Sequence, residues 1–185
     1  MTDGNTESPV PGHRTKYARV ERERRFLLAG MPAGAEAVGV RRIIDHYLTG
    51  TRLRLRRTTD VRSRACEYKL TQKVPAELPG PVQGLVTNMY LSRAEYELFA
   101  SLPGAGLAKL RYSIPPFGVD VFAPPLNGLV LAEAEFGTGE EMRAFVPGID
   151  VVAEVTTDRR FTGGRLVRTD RSELLSWLEG HGVEI

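Results

Sequence analysis

The sequence predicts an α+β domain in which short antiparallel strands outnumber helices, and three observations predict it. Apolar and polar residues alternate with a period of two in successive short segments between Gly/Pro turns. Only three segments carry a helix start signal. The 185-residue length suits one core rather than two.

Taken in order, strands are expected over 17–28, 41–48, 51–59, 62–73, 84–91, 107–114, 117–123, 128–136 and 151–157, with a further one over 161–167. Helices are expected over 93–101, 139–145 and 171–179. Each begins with a polar cap and an acid three residues on: Ser92 with Glu95, Thr138 with Glu141, Asp170 with Glu173. Gly104-Ala105-Gly106 reads as a turn after a helix and Gly163-Gly164 as a strand-joining turn. Residues 1–15 lack periodicity and are expected to form a disordered leader, with a single domain over 16–185.

Composition excludes several classes. With 42% hydrophobic and 26% charged residues, the chain is neither a disordered tail nor a membrane protein. No apolar run approaches the ~20 residues that span a bilayer, and the N-terminus is polar, so a cytoplasmic protein without membrane contact is expected. The single cysteine, Cys66, excludes an intramolecular disulfide and a CxxC zinc site. It lies on the strand face opposite Lys69 and Lys73 and reads as a packed thiol. His13, His46 and His181 are too scattered to form a helical metal pair.

Charge is segregated along the chain. Residues 14–73 hold 16 Lys/Arg against 6 Asp/Glu, and residues 74–185 hold 9 against 15. Arg supplies 21 of the 25 basic residues, which favours two-pronged grip on phosphate or carboxylate oxygens. The alternation gives that charge a direction, because residues i and i+2 of a strand share a face. Glu21, Glu23 and Arg25 therefore share one face, as do Arg52, Arg54 and Arg56, and as do Glu67, Lys69, Thr71 and Lys73. Lys109 with Arg111, and Glu133 with Glu135, repeat the pattern, and Glu154 follows. A half-buried strand normally shows such a face to water. Like charges two residues apart repel, however, so paired glutamates and a run of three arginines each call for counter-ions. If the sheet closes with its charged faces inward, glutamates and Lys/Arg share one polar lumen suited to a polyanion and a metal. Paired carboxylates fit a hard cation such as Mg²⁺, which makes Glu21, Glu23 and Glu135 candidate ligands.

Several of these segments resemble motifs of the CYTH superfamily, also called triphosphate tunnel metalloenzymes. Glu21-Arg22-Glu23-Arg24-Arg25 resembles the opening ExExK strand. Tyr47-Leu48 followed by Arg52-Leu53-Arg54-Leu55-Arg56 resembles the second and third strands, and Leu70-Thr71-Gln72-Lys73 the LTxK strand. Lys109-Leu110-Arg111 matches KxR, Val119-Asp120-Val121-Phe122 matches VDxF, and Gly128 to Glu135 resembles GLxLAExE. Glu154-Val155-Thr156 with Asp158-Arg159-Arg160-Phe161 resembles EVTxDxRY. The resemblance covers residues 17–167 in family order. It implies a closed antiparallel barrel of about eight strands around a polar tunnel, with flanking helices.

By that resemblance, Glu21, Glu23 and Glu135 bind Mg²⁺ or Mn²⁺, while Glu133 and Glu154 hold metal, water or a facing basic residue. Arg25, Lys73, Lys109 and Arg111 hold phosphates, together with two of Arg52, Arg54 and Arg56, the latter two preferred. Glu21, Glu23, Arg25 and Glu135 form the catalytic set. Arg25 stands where the family usually has Lys; it keeps the charge but cannot donate a proton near neutral pH. The implied activity is metal-dependent hydrolysis of a small triphosphate, foremost inorganic tripolyphosphate, by a monomer or homodimer. Adenylyl cyclase, thiamine or nucleoside triphosphatase, and a non-catalytic polyphosphate sensor remain open on the same fold. A nucleic-acid binder ranks last, because its basic patch would not need two strands of paired glutamates.

Overall fold

The computed structural model describes residues 17–34, 36–75 and 84–183; the expected leader lies outside the described residues. Their period-two segments pair as ten antiparallel strands: β1 (Arg19–Glu21), β2 (Glu23–Leu28), β3 (Gly39–Leu48), β4 (Leu53–Asp60), β5 (Cys66–Pro75), β6 (Gly84–Leu91), β7 (Gly104–Ile114), β8 (Phe117–Phe122), β9 (Val130–Glu135) and β10 (Ala153–Glu154). Their order across the single sheet is β1-β6-β5-β4-β3-β7-β8-β9-β2-β10.

β1 and β2 are one stretch of chain interrupted at Arg22, whose carbonyl accepts from the Phe136 N–H at 2.9 Å. The first part of the stretch pairs with β6 and the second with β9 and β10. The hydrogen-bonded order is thus open, which differs from the closed ring of about eight strands that the family resemblance implies. The reason is local: at Arg22 the ladder changes partners, so no residue of the segment bonds β6 and β9 at one level.

Cores lie on both sides of the sheet. On one side Phe26, Leu28, Phe117, Val119, Val130 and Ala132 pack beneath Phe136, Phe145 and Ile149 of the segment after β9. On the other, Leu27, Leu107, Phe122 and Leu131 pack against Phe161, Leu166, Leu174, Leu178 and Val183 from the C-terminal helices. At about 25 cal/mol per Å² of apolar surface, such fully buried aliphatic and aromatic side chains each contribute roughly 1.5–3 kcal/mol.

The helices form where the caps place them. α1 (Arg93–Ala100) and α2 (Gly139–Ala144) carry the reciprocal bonds of Ser92 with Glu95 and Thr138 with Glu141. Asp170 accepts the Glu173 N–H to open α4 (Arg171–Glu179).

Three expectations fail. Residues 161–167 are not a strand: a 3₁₀ turn (Arg159–Phe161) leads into α3 (Gly163–Leu166), so Gly163-Gly164 opens a helix. Phe161 and Leu166 both reach the same core this way, whereas in a strand, five residues apart, they would face opposite sides. Cys66 is exposed, with Sγ 3.3 Å from Thr59 Oγ1, because it starts β5 where the β4–β5 hairpin outruns the core. Gly104-Ala105-Gly106 already belongs to β7 rather than to a turn.

Candidate active site

Directly opposed residues on neighbouring strands point to the same side, so the register defines which side chains meet. Across β2, β9, β8 and β7 the pairs Arg25 with Glu133 and Arg111 with Asp120 fall on one face. Across β3, β4, β5 and β6 the row Asp45–Arg56–Lys69–Tyr90 falls on that same face, beside Arg54–Thr71–Asn88. The expected alternation therefore collects its charge on one side. Leu27, Leu107, Phe122 and Leu131 lie on this face too, and the C-terminal helices cover them, giving the charged region an apolar floor.

The charged groups form three clusters on this face. Arg25 donates through Nη2 to Glu23 and through Nε to Glu133 at 3.3 Å. Glu133 also accepts from Arg111, which holds Asp120 with two nitrogens at 2.7 and 2.6 Å. Lys109 reaches the same Asp120. On β3, Asp45 accepts from Arg56 Nε and Nη2 at 2.6 and 2.7 Å, and Arg54 Nη2 donates to Thr71 at 3.3 Å. Lys73 Nζ lies 2.6 Å from Glu21 Oε1.

Among the described residues, two buried donors are left without a hydrogen-bond acceptor: Arg25 Nη1, and Arg54 Nε, whose nearest carboxylate oxygen, Asp45 Oδ1, is 3.7 Å away. An unpaired buried donor costs ~1–3 kcal/mol, and both belong to side chains on the charged face, where an oxyanion would satisfy them.

The two central glutamates titrate in opposite directions. Burial, and then the neighbouring Glu133, push the Glu23 carboxyl above its usual 4.5; Arg25 and Lys73 offset only part. Burial also opposes charge on Glu133, but Arg111, Lys109 and Arg25 outweigh it and hold that carboxyl well below 4.5. Burial likewise works against Asp45, and Arg56 reverses it, leaving its carboxyl low. The Lys109 ammonium is pushed down by burial, with Asp120 opposing.

The sequence-predicted residues divide accordingly. The structure brings Glu23, Arg25, Glu133, Arg111 and Lys109 into one network, and on the same face pairs Arg54 and Arg56 with Asp45, and Lys73 with Glu21. Glu135 sits directly opposite Glu23 but at the exposed end of β9, with Arg19 at 3.7 Å. Arg52 is exposed in the turn before β4. Glu154 is not brought in: it pairs opposite Phe26, on the other face, where Arg24 grips it at 2.9 and 2.6 Å. That ion pair, stacked over Phe26 and Phe145, is the facing basic partner of Glu154.

Sequence reasoning missed Asp45 and Asp120, both fully buried, as the carboxylates that hold the arginines. Parity could have found them. Gly50, at φ +72, turns β3 into β4, and counting back from that turn sets Asp45 against Arg56.

No family model matches the chain. The inorganic triphosphatase of Nitrosomonas europaea is 34% identical over 161 residues, spanning 76% of this chain and 92% of its own length. This chain belongs to the CYTH superfamily. Two crystal structures of NE1496, one described as an inorganic triphosphatase, share the fold of this CYTH protein. Their TM-scores are 0.51 and 0.52 at 28% and 27% identity, over 81% and 82% of this chain and 99% and 96% of theirs. Among the described residues of this CYTH chain, no helix is long and apolar enough to cross a membrane.

Proposed function

We propose that this chain hydrolyses inorganic tripolyphosphate to pyrophosphate and phosphate on the charged face of its sheet, with the help of Mg²⁺ or Mn²⁺. As a CYTH-type triphosphatase it is a hydrolase of phosphoric anhydrides. The observation that carries the choice of substrate is the buried network from Glu23 through Arg25, Glu133 and Arg111 to Asp120 and Lys109, in which Arg25 keeps one donor unspent.

The network is neutralised internally. A polyanion bound there exchanges with carboxylates for the same cations: its oxygens take Arg25 Nη1 first, then compete for Lys73, Lys109 and Arg111. Preorganised cations of this kind stabilise the charge spread over the transferring phosphoryl group, which is most of what phosphoryl transfer asks of a protein. Asp45 and Asp120 keep Arg56 and Arg111 aimed while the substrate enters. Water supplies the nucleophile, and the bridging oxygen leaves with pyrophosphate.

The donor chemistry suits a divalent cation in a specific way. Among the described residues, no three His, Cys, Asp or Glu gather to hold an ion by themselves. Glu23 and Glu135 face each other across the β2–β9 ladder and offer two hard oxygen donors, with Glu21 on the adjoining strand. Mg²⁺ typically takes one or two carboxylates and completes its shell with substrate oxygens and water. When bound, such an ion polarises the phosphoryl oxygens and offsets their charge. Glu133 is committed to Arg25 and Arg111, so its role is to orient cations rather than to ligate metal. The segment 19–28, shared by both ends of the sheet, is read as the element that closes the tunnel around the substrate.

The test is incubation of purified protein with tripolyphosphate, products separated by ion chromatography, with and without a chelator. Equimolar pyrophosphate and phosphate, stopped by chelation and restored by Mg²⁺ or Mn²⁺, is expected. Metal-independent cleavage, or none, overturns the proposal.

A further inference from the structure

On the charged face, Lys69 stands apart from the network. Every other Lys or Arg at the centre of that face has a carboxylate within ion-pair distance, whereas Lys69 has none among the described residues. It sits directly opposite Arg56 on β4 and Tyr90 on β6, its Nζ 5.9 Å from the Tyr90 ring centroid. The neighbouring pair on the same ladder is Arg54 with Thr71, and Arg54 Nε, 3.7 Å from Asp45 Oδ1, is one of the two buried donors that make no hydrogen bond among the described residues. A half-buried ammonium wedged beside two guanidinium groups is an unfavourable arrangement until an anion arrives. Burial, with Arg56 and Arg54 adding to it, pushes the Lys69 ammonium below its usual value, as such crowding requires. The Tyr90 ring face compensates only in part.

Position decides which anion. Lys73 and Lys69 are four residues apart on β5, so at ~3.3 Å per residue their backbones are separated by ~13 Å along the strand. A linear chain of phosphates anchored at Lys73 must therefore extend along β5 to reach Lys69. Lys69 lies where the row of cations runs out toward the exposed Tyr90, one same-face position along the ladder from the Arg54–Thr71 pair.

We infer that Lys69, backed by Tyr90 and Arg54, forms an additional anion subsite that receives the fourth phosphate of a linear polyphosphate longer than tripolyphosphate. This rests on the triphosphate reading of the network, and it makes Lys69 a determinant of chain length. Thr71, held by Asn88 at 2.8 Å, keeps the path between the two subsites polar and in place.

The test is calorimetric binding of tripolyphosphate and linear tetraphosphate to the full chain without divalent metal, so that it stands whether or not hydrolysis occurs. Wild-type protein is expected to bind tetraphosphate about fivefold more tightly than tripolyphosphate, the scale of one partly exposed ion pair. Lys69→Gln should bring that preference to about parity, while Lys69→Arg retains it. An unchanged preference in Lys69→Gln, or no preference in wild type, overturns the subsite. Failure to bind either polyphosphate would sink the triphosphate reading itself, whereas binding of both without discrimination sinks only the fourth subsite.

Discussion

Glu23 and Glu133 lie on neighbouring strands of one buried network, yet neutralising each should move stability in opposite directions. The perturbation is Glu→Gln, which keeps shape and an acceptor oxygen while removing charge. At Glu133 the charge is favoured: Arg111, Lys109 and Arg25 surround it and hold its carboxyl well below 4.5 against the burial that opposes them. Removing it leaves buried cations uncompensated, which costs ~3–5 kcal/mol. For a chain of this size each kcal/mol shifts Tm by ~2–4 °C, so Glu133→Gln should melt roughly 6–20 °C lower at pH 7. At Glu23 the charge is disfavoured by burial and by Glu133, and its carboxyl titrates above 4.5. Glu23→Gln should therefore melt no lower than wild type at pH 7.

The signs also fix the pH dependence. A carboxyl with a lowered folded value contributes stability that is present above 4.5 and lost as pH falls through its folded value, so the Glu133→Gln deficit should shrink in acid. A carboxyl with a raised folded value binds its proton longer in the folded state. Its stability is lost as pH rises from 4.5 through the folded value, so any gain from Glu23→Gln should grow across that window and be complete above it. The assay is thermal melting by circular dichroism between about pH 3 and 8 in metal-free buffer. A Glu133→Gln protein that melts with wild type, or a Glu23→Gln protein that falls as far, would refute the electrostatic reasoning.

Two further outcomes are expected. Arg111→Met should lower kcat/KM for tripolyphosphate by about 30-fold or more, the scale of ~2–5 kcal/mol for a charged partner lost from a desolvated site. Arg57→Met, on the opposite face against Tyr68, should leave it unchanged; equal losses would mean a diffuse surface patch. Gly163→Ala should lower Tm by roughly 2–12 °C, because its new methyl would intrude on Tyr47 Oη, an overpacking cost of ~1–3 kcal/mol. Most of that loss should vanish in a Tyr47→Phe background; an equal loss in both backgrounds would show that the contact does not matter.

What the sequence made legible is what depends on near neighbours. The capping pairs Ser92–Glu95 and Thr138–Glu141 close within one helical turn, so spacing alone revealed them. The alternation placed Glu23, Arg25, Arg54, Arg56, Lys109 and Arg111 on one face for the same reason. Glu154 escaped because its face is set by the register of a two-residue strand against β2, a pairing across more than a hundred residues. Phe161 and Leu166 escaped because the choice between strand and helix there is made by the core they join, not by their own spacing. Asp120 was legible only as part of the VDxF motif and Asp45 not at all, because their meaning lies in the arginines across the ladder.

The shared segment 19–28 also imposes an order of events on synthesis. Its first strand needs β6, and its second needs β9 and β10, so Arg24 finds Glu154 only after a further 130 residues have been made. At ~5–20 residues per second that is a wait of roughly 6–26 s after Arg24 leaves the peptidyl-transferase centre. During that interval the strand carries Phe26, Leu27 and Leu28 with no partner on that side. The glutamates and arginines interleaved just before this apolar run are the kind of charge that discourages an unpaired strand from adding edge to edge to another copy.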